Sequence, residues 1–132
     1  MAPESIPTPN QPWSGGPYST ALRAGDWIVV SGQVGVDPPS GQVVVGGVEA
    51  QARQALANLT AILGDCGAGW GDVAKVTLFV ATDSPQWMKE VNDVYAKAVG
   101  EHRPARSTIG VSWLPMGAVF EIEAWVYLPV GS

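Results

Sequence analysis

From Val48 to Cys66 the apolar residues Val48, Ala52, Ala55, Leu56, Leu59, Ile62, Leu63 and Cys66 recur at spacings of three and four. That is the period of one helical stripe. Gln51, Arg53, Gln54, Asn58 and Thr60 fall on the other side, so the spacing predicts a helix with one wet face, stopped by Gly67. The period then changes. Over Asp72 to Ala81, Val76, Leu78 and Val80 alternate with Lys75, Thr77 and Phe79, the two-residue repeat of a strand. Ser84-Pro85 supplies a helix N-cap with proline at the first helical position. The second helix, Pro85 to Val99, presents Met88, Val91, Tyr95 and Val99 along one stripe.

Shorter patterns flank this centre. Tyr18 to Arg23 and Trp27 to Ser31 read as two strands joined at Ala24-Gly25-Asp26, a hairpin turn signal. Gly32 to Gly47 is mostly loop, with Gln42 to Val45 as a very short strand. Two strands close the chain, Ala105 to Trp113 and Val119 to Leu128, joined through Leu114-Pro115-Met116-Gly117. The order strand, strand, helix, strand, helix, strand, strand predicts an α+β sandwich, a mixed sheet with two helices on one face. In the last strand Phe120, Ile122, Ala124, Val126 and Leu128 point one way, and Val119, Glu121, Glu123, Trp125 and Tyr127 the other. In its partner Arg106, Thr108, Gly110 and Ser112 alternate with Ser107, Ile109, Val111 and Trp113. Each strand is expected to carry its charges on a mixed face turned away from the helices.

Composition adds constraints. With 132 residues the chain fits one domain, 1–132, in which about 1–15 form an irregular arm. Only 14% of the residues are charged and 46% are hydrophobic, more apolar character than a small monomer can bury, so part of it is expected at a subunit interface. A single Cys rules out a disulfide framework. With one His and one Cys no zinc-type ligand set is expected within a subunit, and no metal is assigned. The net charge of −5 supplies no basic field for phosphate backbones, which argues against a nucleic-acid partner. No run approaches 18 apolar residues, so no membrane span is expected. The start, Met1 to Pro12, lacks the features of a signal peptide and the cysteine is lone, which points to the cytoplasm.

Arg106, Glu121 and Glu123 are the first candidates for chemistry. One reading is a solvated sheet face with cross-strand charge pairs. Trp125 and Tyr127 share the face with the acids, however, and large aromatics beside isolated charges suit an interface or pocket better. If the last two strands form a simple hairpin, Arg106 and Glu121 stand roughly 13 Å apart along it, too far to pair and far enough to hold a ligand. The Arg106 fork would match a carboxylate with two parallel hydrogen bonds. Glu121 would hold or activate a water, or pass a proton. Ser31, Tyr18 or Thr108 could orient the remaining polar atoms. Cys66 reads as a small packed hydrophobe, and His102 as exposed.

At these same residues the sequence resembles the RidA/YjgF family of small enamine/imine deaminases. Carrying the likeness are Gly16-Pro17-Tyr18, Ser31-Gly32-Gln33, the run Gln51 to Leu59, Pro104-Ala105-Arg106-Ser107, Leu114-Pro115 and Glu121-Ile122-Glu123-Ala124, in that order. The resemblance implies a chorismate-mutase-like sandwich assembled as a homotrimer, with pockets in the clefts between subunits. It implies hydrolysis of carboxylate-bearing enamines and imines of the 2-aminoacrylate type to 2-oxo acids and ammonia, with no cofactor. On that likeness Arg106 clamps the substrate carboxylate and Glu121 positions water, while Tyr18, Ser31, Gly32 and Asn92 line the pocket. Thr108 stands where some members carry a cysteine, and Arg103 replaces an aromatic often seen before Pro-Ala-Arg. A non-catalytic module using the same cleft to bind a 2-oxo acid or a partner protein is the competing expectation. The endoribonuclease activity attached to parts of the family sits badly with seven Lys and Arg in all.

Overall fold

Alternation and helical period each find their element in the computed structural model, which describes residues 2–13 and 15–131. The chain runs β1 (Glu4–Ser5), β2 (Ala21–Ala24), β3 (Trp27–Val34), β4 (Val36–Asp37), β5 (Gln42–Val43), α1 (Gly47–Asp65), β6 (Val73–Val80), α2 (Trp87–Val99), β7 (Ala105–Gly110) and β8 (Phe120–Tyr127). Six strands form one sheet in the order β1-β2-β3-β8-β6-β7, and β4-β5 is a separate pair. The N-terminal arm is not wholly irregular: Glu4 and Ser5 pair with Arg23 and Leu22. Residues 1 and 14 of that arm lie outside the described residues.

Both helices cover one face of the sheet. Ile28 and Val30 of β3, Val76, Leu78 and Val80 of β6, and Phe120, Ile122, Ala124 and Val126 of β8 meet Ala52, Ala55, Leu56, Leu59, Ile62 and Leu63 of α1 and Val91, Tyr95 and Val99 of α2 in one core. Gly67 takes a left-handed φ of 76° just beyond α1, and Ala68 N–H returns to Leu63 O at 2.9 Å, closing the helix end. At the other helix, Ser84-Pro85 makes a preceding turn rather than the first helical turn. There Trp87 N–H reaches Ser84 O at 3.3 Å, and α2 begins at Trp87.

Two polar residues on the side of α1 read as wet are buried. Gln51 accepts Val119 N–H on Oε1 at 2.8 Å. Asn58 donates from Nδ2 to Val36 O at 2.9 Å and Val34 O at 3.3 Å, and accepts Gln54 Nε2 at 2.8 Å. Their reason for burial is tertiary: the carbonyls where β3 turns into β4 and the Val119 N–H ahead of β8 need side-chain partners. Asn58→Ala is expected to cost about 1–3 kcal/mol, the penalty for stranding buried acceptors, read as a lowered midpoint in urea unfolding.

The last two strands do not form a hairpin. β7 pairs with β6 in parallel, Val76 opposite Arg106 and Leu78 opposite Thr108. β8 lies on the other side of β6 and runs antiparallel to it. A helical crossover such as α2 returns the chain in the same direction, so β7 must lie parallel to β6. The edge position falls to β7, and β8 is left to bridge β6 and β3.

Candidate active site

Strand register decides which candidates meet. Residues paired across neighbouring strands point to the same side of a sheet. Arg106 and Thr108 therefore share the helix side with Val76 and Leu78, whereas Glu121, opposite Phe79 and Val34, is on the outer side. The expectation that Arg106 and Glu121 occupy one face turned away from the helices is overturned by this register, which puts the Arg106 face of β7 on the helix side. Within one chain the site residues form two separate groups.

The first group surrounds Glu121. Between the pairs Val30–Ala124 and Gln33–Ile122 the register of β3 shifts, leaving Ser31 and Gly32 opposite Glu123 alone, a bulge that aims its residues differently from a regular strand. The Glu121 carboxyl lies against Gly32: a Cβ there would stand 2.6 Å from Cδ and 2.8 Å from Oε1. Ser31 donates its hydroxyl to Ser19 O at 2.6 Å, and its N–H to Thr20 O at 2.8 Å, which ties the bulge to the segment carrying Tyr18. Trp13, Tyr18, Ser31, Gly32, Pro115 and Glu121 line an open cleft of about 290 Å³, and a smaller adjoining pocket shares Trp13, Tyr18, Gly32, Pro115 and Glu121 and adds Thr20, Gln33 and Met116. Met116 is the one non-glycine residue at positive φ among the described residues, at 61°, a conformation that costs roughly 1–2 kcal/mol and is held where packing over-determines it. Partial burial, with Glu123 adding repulsion, pushes the Glu121 carboxyl above its ordinary value. A half-buried carboxyl with a raised pKa suits a group that both takes and returns a proton.

Gly32→Ala tests this contact. The obstructed atoms are the far end of a flexible side chain, so the fold is expected to stay intact while Glu121 swings away. Displacement of a catalytic group by about 1 Å can cost on the order of 100-fold, and turnover is the measurement, with circular dichroism as the check on folding.

The second group lies along β7, an edge strand exposed over its whole length. The Arg106 guanidinium sits over the Tyr95 ring, 5.1 Å from its centroid. Asn92, exposed, precedes Tyr95 by three residues on α2 and so shares its flank of the helix. Thr108 follows Arg106 on the same side of the strand. Four candidates, Tyr18, Ser31, Gly32 and Glu121, thus belong to one group, and three, Arg106, Asn92 and Thr108, to the other.

Further along, the outer sheet face carries aromatic residues in the open. Trp27 packs edge-on against Tyr127 at 5.2 Å, Lys75 Nζ lies 5.8 Å from the Trp125 ring, Val29 is exposed opposite Trp125, and Ile109 is exposed on β7. The mixed, aromatic character expected of β8 is present, and the helices leave it uncovered.

A wider void of about 430 Å³ lies between α1 and α2, and all of its charged rim except Lys97 is paired along its own helix, Arg53 with Glu49 at 2.7 Å and, at Asp93, Lys89 at 2.8 Å. No candidate residue reaches it. Cys66 is half-buried against the core, where desolvation first and Asp65 second raise its thiol. His102 is exposed, with Nε2 2.8 Å from Val73 O. Among the described residues no three His, Cys, Asp or Glu side chains gather at one place, and no helix is long and apolar enough to cross a membrane.

The family model described as Endoribonuclease L-PSP matches residues 8–128. The chain belongs to this family, the RidA/YjgF family. A RutC family protein of Pyrococcus horikoshii is 43% identical over 124 residues, covering 94% of this chain and 97% of that protein. The human 2-iminobutanoate/2-iminopropanoate deaminase is 40% identical over 119 residues, covering 90% of this chain and 85% of the relative. A solved structure of Escherichia coli TdcF with bound serine superposes with a TM-score of 0.85 at 33% identity, covering 94% of this chain and 98% of that one. The two-helix, mixed-sheet architecture is thus that of solved RidA/YjgF structures.

Sequence reasoning passed over Trp13 and Met116 in the cleft and Tyr95 beneath Arg106. A signal existed for Trp13: Gly15 and Gly16 follow it, and a Cβ at Gly15 would meet the Trp13 ring at 2.6 Å. For Tyr95 the stripe of α2 gave only burial.

Proposed function

We propose that this RidA/YjgF chain hydrolyses reactive 2-imino acids and their 2-aminoacrylate-type enamine tautomers to 2-oxo acids and ammonia, at sites formed between the subunits of a homotrimer. One observation carries the reading: a guanidinium and a carboxylate suited to one small substrate occupy opposite sides of the sheet in a single chain. Juxtaposing the β7 edge of one copy with the Glu121 cleft of another unites them. The exposed Trp27, Val29 and Tyr127, with half-buried Trp125 between them, supply the apolar area such packing needs. The name of the human relative, an imine deaminase, supports the chemistry.

In this reading Arg106 takes the substrate carboxylate in its fork. Glu121 accepts a proton from a water that attacks C2 of the protonated imine. The carbinolamine then receives that proton on nitrogen, the C–N bond breaks as the hydroxyl returns its proton to Glu121, and ammonia leaves with a 2-oxo acid behind it. An enamine is first protonated at C3, which turns it into the same imine. The imine carbon is already electrophilic, so placement and one acid/base group suffice. Tyr18, Ser31 and Gly32 shape the water side, Asn92 and Thr108 the carboxylate side. The test generates 2-aminoacrylate with a pyridoxal-phosphate lyase and follows pyruvate; no acceleration by the protein defeats the reading. Light scattering that finds a stable monomer near 13.8 kDa defeats the shared site.

Serine held by TdcF favours a second reading, a binding module for small carboxylates. Calorimetric titration with 2-oxobutanoate separates the two: a binder shows Arg106-dependent affinity without turnover of any imine.

A further inference from the structure

The ion pairs among the described residues are Arg53–Glu49 and Lys89–Asp93, so no carboxylate holds the Arg106 guanidinium. The guanidinium lies over the face of Tyr95, 5.1 Å away. Tyr95 itself is 6% exposed and fixed from behind: Trp70 meets it edge-on at 6.3 Å, and Trp70 Nε1–H is anchored on Thr60 Oγ1 of α1 at 2.9 Å. The phenol hydroxyl is buried with no hydrogen-bond partner, so the hydroxyl gives the fold nothing that phenylalanine would lack.

We propose that Tyr95 is a positioning residue for Arg106, its ring face holding the guanidinium on the β7 edge with the donor fork left open. The inference rests on Arg106 being the carboxylate clamp. A π face suits this task for a physical reason. An acidic partner would neutralise the arginine and occupy its donors, whereas stacking leaves the charge and all five N–H groups for a ligand. Stacking also restrains a long side chain on an exposed edge before substrate arrives, which lowers the ordering cost of binding.

The test is a double-mutant cycle on the full-length protein: wild type, Tyr95→Phe, Tyr95→Leu, Arg106→Ala and Tyr95→Leu/Arg106→Ala. Tyr95→Phe keeps the ring and is expected to stay within about twofold of wild type in KM, with no loss of melting temperature. Tyr95→Leu is expected to raise KM for 2-iminobutanoate by about tenfold with kcat retained, and to add less than about twofold once Arg106 is alanine. A packing role alone would lower melting temperature without moving KM in this Arg106-dependent way. Wild-type KM in Tyr95→Leu, an undiminished effect in the Arg106→Ala background, or equal behaviour of the Phe and Leu variants overturns the proposal. Should Tyr95→Leu not fold, Tyr95→Met replaces it, keeping bulk without a π face. Affinity for 2-oxobutanoate is measured on the same proteins by calorimetry. If the wild type turns over no imine, the deaminase reading falls and the cycle is read from that affinity. Affinity that ignores Arg106, or is absent, overturns the positioning role as well.

Discussion

Arg106→Ala is expected to lower kcat/KM for 2-iminobutanoate by about 10²- to 10³-fold, the loss typical of a hydrogen-bonded charge pair across a closed site. Stability should barely change, because the side chain is exposed and holds no acidic partner. Arg106→Lys should recover little, since an ammonium cannot present the bidentate fork. The shared-site proposal adds a sharper expectation. Arg106→Ala and Glu121→Gln chains, each strongly impaired alone, should regain activity when unfolded together and refolded, because about one quarter of randomly assembled interfaces then bring an intact Arg106 to an intact Glu121. Activity that stays at the level of the separate variants would show that each chain works alone.

Glu121→Gln should remove about 10²- to 10⁴-fold from kcat and leave KM near wild type, as expected when a proton-transfer group is lost but the carboxylate clamp remains. The pH dependence has a definite sign. Glu121 accepts a proton only when ionised, and burial raises its pKa, so wild-type kcat should fall on acidification at a pH above about 4.3, the ordinary glutamate value. With substrate bound, the substrate carboxylate offsets the Arg106 charge and leaves the burial effect in place. Turnover by Glu121→Gln should be flat across that limb. A wild-type limb at or below the ordinary value, or a variant that keeps the limb, would remove Glu121 from the proton-transfer role.

Both helices and the β6 and β8 strands were legible because a buried stripe needs apolar residues at the period of its element. The stripe from Val48 to Leu63 and the alternation from Phe120 to Val126 lie in the core as read. Boundaries were less legible. The pattern carries β7 on to Trp113, whereas the strand ends at Gly110, since an edge strand stops where its one neighbour does. Gln51 and Asn58 were misread for a related reason: their polarity is legible, but the backbone groups they satisfy belong to segments distant in sequence.

The same division runs through the site. Residue chemistry is local, so a fork for a carboxylate at Arg106, a proton carrier at Glu121 and a small residue at Gly32 could be named from composition, pattern and the family likeness. Periodicity also reports which residues of one strand share a face, but not which side of the sheet that face takes: on β7 the face bearing Arg106 and Thr108 lies on the helix side. It does not report which strand lies beside which, because pairing partners are chosen by the path of the connections and the packing of distant apolar faces. Insertion of β6 between β7 and β8 is such a choice. Together with the β7 register it replaces a supposed single face bearing both charges with two half-sites on opposite sides of the sheet, and the Tyr95 ring, rather than an acid, lies beneath Arg106.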